Sequence, residues 1–123
     1  MITNGGFESG LAGWSSGGAL GVSISTSDVH SGAKSAQLGS PDYPCAGGVP
    51  IGNGYVAQTV LVPTTGHTLN FWYRMFTQDV EPYDTFDVYV NRLDDPNSLV
   101  FRDGNTGGAR PCNDPNPTID LGW

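Results

Sequence analysis

Glycine and proline interrupt this chain so frequently that long helices are strongly disfavoured. Its 123 residues include 18 glycines and nine prolines, which are the two residue types that destabilise a helix interior most. Aromatic residues make up 11% of the chain, which is too many for a disordered chain of this type. We therefore expect a single domain, residues 1–123, made of short strands joined by Gly/Pro turns.

Alternating side chains identify two strands most clearly. In residues 67–76 apolar and aromatic residues recur at every second position, so one predicted face is apolar. The other face of that strand carries Asn70, Trp72 and Arg74. Residues 83–91 repeat the pattern, with Phe86, Val88 and Val90 on the apolar face. The opposite face of this second strand carries Thr85, Asp87, Tyr89 and Asn91.

Turn signals separate further expected strands, at residues 20–26, 34–39, 54–62 and 98–103. The pattern predicts an all-β fold, an antiparallel β-sandwich with jelly-roll topology. The chain stops in what resembles the approach to a strand. We therefore expect a domain that is incomplete at its C-terminus, its last strand or strands removed or supplied by another segment.

Charge argues against two classes of partner. Twelve acidic and five basic residues give a net charge of −7. Nucleic-acid binding needs clustered lysines and arginines, so we expect no nucleic-acid partner. No apolar run is long enough for a transmembrane helix, and we expect no membrane insertion. No leader sequence is visible after Met1, so a leader is expected to have been removed or never to have been present.

The two cysteines, Cys45 and Cys112, lie in Pro- and Gly-rich surroundings. Such loop positions are poor core sites, so we predict a disulfide that ties two long loops together. Closing a loop of this size restricts the unfolded chain by about 4 kcal/mol in the entropy model. The disulfide favours a secreted or cell-surface location, and the alternative is two free thiols.

Four segments of the chain together resemble a known family. They are NGGFESGLAGW, VHSGAKSAQLG, QTVLVP and LNFWYRM. In this order they resemble the calcium-binding β-jelly-roll carbohydrate-binding modules of the galactose-binding-domain-like superfamily, which accompany bacterial glycosidases and surface proteins. The resemblance extends from Asn4 to about Asn91.

The resemblance implies a structural Ca²⁺ cofactor. In that family the acid after the phenylalanine of the first motif is a calcium ligand, and here it is Glu8. Main-chain oxygens of the HSGAKS turn, around Ser31 to Lys34, are expected to complete the site. Calcium takes about six to eight oxygen ligands, and carboxylates and carbonyls are among them. The alternative is that Glu8 is a solvated loop acid or caps a turn.

The polar faces of the two alternating strands predict a glycan-binding surface. An aromatic face stacks on a sugar ring, while amide, carboxylate and guanidinium groups hydrogen-bond its hydroxyls. The predicted ligand-binding residues are Asn70, Trp72, Arg74, Asp87 and Tyr89. The structural alternative is that Arg74 pairs with Asp87 and that a loop covers Trp72.

Two other groups of oxygen-bearing residues are weaker candidates. Asp79, Glu81 and Asp84 precede Asp87 within nine positions, and they predict either a solvated acidic hairpin or a second cation site. Asp114 and Asn116 offer oxygens in a Pro-rich loop. Neither group contains a nucleophile elbow or a metal-binding histidine pair, so no enzymatic activity is predicted.

Three functions compete at this stage. The first is a non-catalytic carbohydrate-binding module stabilised by calcium, whose partner is a polysaccharide or glycan. The second is a structural or adhesive surface or filament subunit, completed by a strand from a protein partner. The third is a spacer domain of a larger extracellular enzyme.

Overall fold

All regular structure in the described residues is β-structure. The computed structural model describes residues 1–40, 51–65, 68–81, 83–91, 98–112, 114 and 118–123. This part of the chain contains no helix, so it holds none that could cross a membrane. Its eight strands are β1 (Ser15–Gly17), β2 (Val22–Ser25), β3 (Ser35–Leu38), β4 (Tyr55–Ala57), β5 (Phe76–Thr77), β6 (Phe86–Tyr89), β7 (Leu99–Asp103) and β8 (Ile119–Asp120).

The strands form four antiparallel pairs, β1 with β4, β2 with β3, β5 with β8 and β6 with β7. The prediction of an all-β, antiparallel chain is therefore confirmed. The chain also divides into two compact units, a first unit, Met1–Trp72, and a second unit, Tyr73–Trp123. The first unit contains β1 to β4, and the second contains β5 to β8.

The first unit is organised around the β2–β3 hairpin. These strands pair from Val22 with Leu38 to Ser25 with Ser35, inside the strands expected at residues 20–26 and 34–39. Ser25 is buried, and its hydroxyl accepts hydrogen bonds from the amides of Ser27 (3.3 Å) and Asp28 (3.2 Å). This serine turns the chain away from β2 and into the segment that contains the HSGAKS motif.

Asn4 organises the N-terminal loop. Its Nδ2 donates to the carbonyls of Gly10 (2.8 Å) and Ala12 (3.0 Å), while its Oδ1 accepts from the amide of Ser9 (3.1 Å). Its carbonyl accepts from the indole Nε1 of Trp14 at 3.0 Å. Asn4 has a φ of 50°, in the left-handed region that asparagine tolerates better than most residues. One side chain thus closes a loop that has no ladder hydrogen bonds of its own.

Gln58 fastens the same loop to the end of β4. Its Oε1 accepts from the amide of Thr3 (2.7 Å), and its Nε2 donates to the carbonyls of Thr3 and Gly13 (2.9 Å each). The side-chain amide therefore acts as a peptide group would in a β-ladder. The strand predicted at residues 54–62 ends at Ala57, just before this glutamine.

In the second unit, three aromatic rings pack together beside the β6–β7 hairpin. Tyr73 stacks on Phe86 with ring centroids 4.6 Å apart, and Phe101 meets both rings edge-on. The Tyr73 hydroxyl donates to Asp103 Oδ2 at 2.6 Å, and this bond raises the pKa of the tyrosine. The hairpin forms where alternation predicted a strand at residues 83–91 and where a further strand was expected at residues 98–103.

Buried polar side chains tie the acidic turn of the second unit together. Thr77 and Asn105 are 4% and 5% exposed. Asn105 Nδ2 donates to the carbonyls of Asp79 (3.0 Å) and Gly108 (2.9 Å), and the Thr77 hydroxyl donates to Asp84 Oδ2. Because both buried groups have partners, the turn is held by hydrogen bonds.

Several predicted strands are shorter in the structure, and two strands, β1 and β8, were not predicted. Of residues 68–76, the described part of that predicted strand, only Phe76 is in a strand, and Leu61 and Val62 are 88% and 60% exposed. Among the described residues no apolar side chain is buried. A strand needs a partner for its backbone, and alternation alone does not supply one. Conversely, β1 forms opposite β4 although its sequence, Ser-Ser-Gly, has no alternation.

Candidate functional site

Trp72 presents an open aromatic face in the first unit. Its side chain is 66% exposed. The imidazole of His30 lies parallel to its indole ring, with centroids 3.9 Å apart and an interplanar angle of 12°. A stacked partner covers one face of the indole and restricts its rotation, while the opposite face remains available to a ligand. The predicted ring is therefore exposed, and His30 restricts its orientation.

The residues around Trp72 do not follow the predicted alternation. Leu69 and Phe71, which were expected on the apolar face, are 53% and 43% exposed. Asn70 is exposed as predicted. These residues lie outside any strand, so no pleat places them on opposite faces.

Asp87 and Tyr89 lie on β6 and share a polar cluster with Arg102 of β7. Arg102 Nε and Nη2 donate to the two oxygens of Asp87 at 2.7 Å each, which is a bidentate pair. The Tyr89 hydroxyl donates to Asp87 Oδ2 at 3.3 Å. The guanidinium lowers the pKa of Asp87, and the carboxylate raises that of Arg102. Sequence reasoning missed Arg102, although the register of the β6–β7 hairpin places it opposite Asp87.

Arg74 pairs with Asp120 of β8. Its Nε donates to Asp120 Oδ1 at 2.9 Å, and its Nη2 donates to Oδ2. The guanidinium also lies 4.9 Å from the ring centroid of Phe76 and 5.9 Å from that of Trp123. Hydrogen bonds from Arg74 and from the Gly122 amide lower the pKa of Asp120 to about 2.

The predicted ligand residues are divided between the two units. Asn70 and Trp72 belong to the first unit, while Arg74, Asp87 and Tyr89 belong to the second. The alternative interpretation paired Arg74 with Asp87, whereas the structure gives bidentate pairs of Arg74 with Asp120 and of Asp87 with Arg102. That the five residues form one continuous binding face stays a prediction.

Glu8 accepts hydrogen bonds from the HSGAKS turn, which matches the alternative that it caps a turn, and its role as a calcium ligand stays a prediction. Its Oε1 accepts from the amides of Ala33 (2.9 Å) and Lys34 (3.2 Å). The Lys34 ammonium in turn donates to the Glu8 carbonyl at 2.9 Å. The first motif and the turn are thereby joined, although they are 25 residues apart in the sequence.

Gly32 makes this close approach possible. Its φ is +78°, and a Cβ built there would lie 2.2 Å from Glu8 Oε1. A Cβ there would force the Glu8 carboxylate to move away from the turn, and the left-handed backbone is itself unfavourable for other residues. Glycine at this position therefore suits both the backbone conformation and the contact with Glu8.

The atoms that reach Glu8 do not form a calcium shell in this arrangement. Oε1 faces two amide donors, and the carbonyl of Glu8 already accepts from an ammonium group. The described residues contain no group of three or more Asp, Glu, His or Cys side chains suited to a metal ion. A calcium ion needs converging oxygens, so the turn carbonyls at Ser31 and Lys34 would have to rotate towards Glu8.

The acidic segment serves as a structural turn in this conformation. Asp79 Oδ1 accepts from the Val80 amide at 2.8 Å, and Asp84 accepts from the buried Thr77 hydroxyl. Glu81 is exposed. These contacts engage two of the three carboxylates in holding the chain, as expected for a hairpin of this kind.

Two sequence predictions fall on residues outside the described ranges. Cys45 lies outside them, so the Cys45–Cys112 disulfide stays a prediction. Asn116 also lies outside them, although its companion Asp114 is described.

No known protein family matches this chain, and searches of curated proteins and of solved structures also give no match. The resemblance to calcium-binding carbohydrate-binding modules therefore stays a prediction. The function must be argued from the side chains themselves.

Proposed function

We propose that this chain is a non-catalytic carbohydrate-binding module of a secreted or cell-surface bacterial protein. Its strands are proposed to belong to a β-sandwich of jelly-roll type, and its ligand to be a polysaccharide or glycan. The observation that supports this most is the Trp72 ring, 66% exposed and stacked on His30. An exposed aromatic ring whose orientation is restricted by a stacked partner offers a pre-organised surface on which a sugar ring can pack.

The chemistry of a sugar ring suits such a face. One side of a pyranose presents C–H bonds, which pack on an indole, while its hydroxyls need donors and acceptors at the rim. Asn70, two positions before Trp72, is exposed and carries both. Trp72 would supply contact area, and Asn70 would supply a hydrogen bond.

The cluster of Asp87, Tyr89 and Arg102 supplies similar chemistry in the second unit. Tyr89 is 51% exposed, and its hydroxyl already points to the Asp87 carboxylate. A bidentate Asp–Arg pair keeps unused lone pairs and N–H groups at its edges, and these suit the hydroxyls of a sugar. The pair is pre-organised, so little side-chain entropy is lost on binding.

A binding role fits the carboxylates better than catalysis does. A glycosidase needs a carboxylic acid whose pKa is raised, so that it stays protonated as the general acid. Asp87 and Asp120 have lowered pKa values because each is bonded to a guanidinium. Both are thus held as anions, which suits hydrogen-bond acceptors.

Calcium is part of the proposal, with Glu8 as the ligating carboxylate. Support comes from the meeting of Glu8 with the HSGAKS turn, where Gly32 leaves room for the carboxylate. Carbonyls of Ser31 and Lys34 would replace the amides that now face Oε1. The ion would then neutralise the Glu8 carboxylate.

Affinity electrophoresis tests the binding role directly. Wild-type protein is run through gels that contain β-glucan, xyloglucan, galactomannan or polygalacturonate, with Trp72→Ala alongside. We expect at least one polysaccharide to retard the wild type and Trp72→Ala to lose that retardation, while thermal melting changes little. Tyr83→Ala is the matched control, because Tyr83 is an aromatic residue that is 77% exposed outside the proposed face. Equal retardation of all three proteins would exclude Trp72 as the binding platform.

Strand β7 favours a second candidate function, an adhesive or structural subunit completed by a partner strand. Its Leu99, Val100 and Phe101 are 44%, 57% and 38% exposed, and its ladder in the described residues is with β6 alone. An apolar strand with one open edge is a template for β-augmentation. Light scattering separates the two functions, since a stable monomer at all concentrations contradicts strand exchange.

A further inference from the structure

A second aromatic platform is built into the second unit, around Trp123. The Trp123 site is defined here as Trp123, Arg74, Asp120 and Phe76. Sequence reasoning assigned a binding role to Arg74 alone among these four. The indole is 45% exposed, and the other three residues lie in or beside the β5–β8 pair.

The β5–β8 pairing explains why these residues meet. Its register places Phe76 opposite Asp120. Arg74 forms the bidentate pair with Asp120 and lies over the Phe76 ring at 4.9 Å. The Gly122 amide bonds Asp120 Oδ1 at 2.9 Å, and the φ of Gly122 is +77°. This turn directs the chain so that the Trp123 ring lies 5.9 Å from the same guanidinium.

The Arg74 guanidinium therefore contacts three side chains at once. It neutralises Asp120 and makes cation–π contacts with Phe76 and Trp123, and each contact restricts the side chains concerned. A ring held in this way loses little entropy when a ligand stacks on it. The Arg74 guanidinium, 5.9 Å from the ring centroid, carries N–H donors and holds the Asp120 carboxylate, so donors and an acceptor accompany the ring.

We propose that the Trp123 site is a second carbohydrate contact, separate from Trp72, and that both take an uncharged glycan. This inference rests on the proposed function and adds a site and a ligand class to it. Trp123 packs on the sugar ring, while Asp120 accepts and Arg74 donates hydrogen bonds to hydroxyls.

Charge determines the ligand class. Arg74 and Arg102, the guanidiniums beside the aromatic residues of the second unit, are each neutralised by a bidentate carboxylate. The whole chain carries a net charge of −7. A uronate or sulfated glycan would meet repulsion and no uncompensated cation at these pairs. Neutral hexose or pentose polymers meet no such penalty.

The test compares Trp123→Ala, Trp72→Ala and the Tyr83→Ala control in the same gels. Whichever of β-glucan, xyloglucan or galactomannan retards the wild type should bind Trp123→Ala roughly fivefold to tenfold more weakly, as loss of one aromatic contact implies. Polygalacturonate should retard none of the proteins. If it binds as tightly as the uncharged polymers, the ligand class is wrong.

The outcomes separate the two proposals. If Trp72→Ala loses retardation and Trp123→Ala equals the wild type, the second site is refuted and the proposed function stands. If no polymer retards the wild type, both fail. If Trp123→Ala melts at a lower temperature, its weaker binding could come from lost stability. A fluorescence titration then tests whether Trp123 contacts the polysaccharide. Trp72→Phe should then show a polysaccharide-induced change that the Trp72→Phe/Trp123→Phe double variant lacks, and its absence in Trp72→Phe refutes the site.

Discussion

Glu8 and Lys34 contact each other in two ways. The Glu8 carboxylate accepts from the Lys34 amide at 3.2 Å, and the Lys34 ammonium donates to the Glu8 carbonyl at 2.9 Å. Side chain meets backbone in both directions, so neither residue moves without the other. The ammonium already occupies the Glu8 carbonyl oxygen, so a calcium ion that used this oxygen would have to displace it.

Added calcium should therefore stabilise the wild type if the turn rearranges as proposed. We expect a higher melting temperature with millimolar Ca²⁺ and a lower one with chelator. Glu8→Gln should lose most of the difference, because calcium affinity depends on the charge of its ligands and the amide removes the negative charge of Glu8. Magnesium at equal concentration controls for ionic strength. If neither calcium nor chelator changes the melting temperature of the wild type, the protein keeps the Glu8–Lys34 contacts and binds no structural calcium.

Gly32→Ala should destabilise the protein more than Gly10→Ala does. Both glycines have positive φ, +78° and +65°, but nothing lies within 4 Å of a Cβ at Gly10. Gly10→Ala should lower the free energy of unfolding by about 1 kcal/mol, the backbone cost alone. Gly32→Ala also displaces the Glu8 carboxylate from its two amide hydrogen bonds, and we expect about 2–3 kcal/mol in total.

Urea denaturation of both glycine variants measures this difference. Removing the carboxylate should relieve the clash, so Glu8→Ala/Gly32→Ala should be less destabilised than the sum of the single variants. Equal losses for the two glycine variants would mean that Glu8 does not crowd position 32 in solution.

Asn4→Ala should lower the free energy of unfolding by about 2–3 kcal/mol, since three side-chain hydrogen bonds are lost at about 1 kcal/mol each. Asn4→Asp keeps the acceptor for Ser9 and loses the donors to Gly10 and Ala12. Its free energy of unfolding should therefore be lower than that of the wild type. Asn70→Ala, at an exposed position outside any strand, is the control and should be neutral. Chemical denaturation checks all three variants, and a neutral Asn4→Ala would contradict the role given to this loop.

Stability should fall on acidification below about pH 4, partly through Asp120. Its pKa is depressed from 3.8 to about 2. A group whose pKa is lower in the folded state stabilises that state above its unfolded value, and this contribution is lost as the pH falls through about 2. Asp120→Asn should show a smaller decrease in melting temperature between pH 5 and pH 2. The exposed Glu81 supplies the control, Glu81→Gln, which should follow the wild type.

His30→Ala should weaken glycan retention less than Trp72→Ala does. The imidazole restricts the indole from one face and does not itself face the ligand. Losing it should leave the contact area intact and cost about threefold in affinity, through added rotational freedom alone. His30→Phe keeps a stacking ring and should restore retention. If His30→Ala binds as tightly as the wild type, the stack does not position Trp72.

Alternation and turn signals predicted the individual strands well where two such segments are close in sequence, although the pairings themselves were not predicted. β2 with β3 and β6 with β7 lie within their predicted segments. Alternation was wrong for most of residues 68–76, because an alternating pattern reports side-chain chemistry and a strand also needs a backbone partner. β1 was missed for the converse reason, since its backbone pairs although Ser-Ser-Gly has no apolar face.

The sequence predicts those site residues whose type alone suggests a binding role. Trp72 and Glu8 are conspicuous, and their exposure and turn contact follow the sequence interpretation. His30, Arg102 and Asp120 become relevant through stacking or ion pairing with distant residues. Such pairings depend on register and turn geometry, which a list of residue types does not contain.

The Gln58 side chain has a consequence for how this sequence can vary. It accepts one hydrogen bond and donates two, all to backbone groups at the two ends of one loop. Glutamate at position 58 would place a negative charge against two carbonyl oxygens. Lysine there would leave the Thr3 amide without a hydrogen-bond acceptor. Homologues that keep the NGGFE opening should therefore retain an amide side chain at position 58, so that the two positions vary together during evolution.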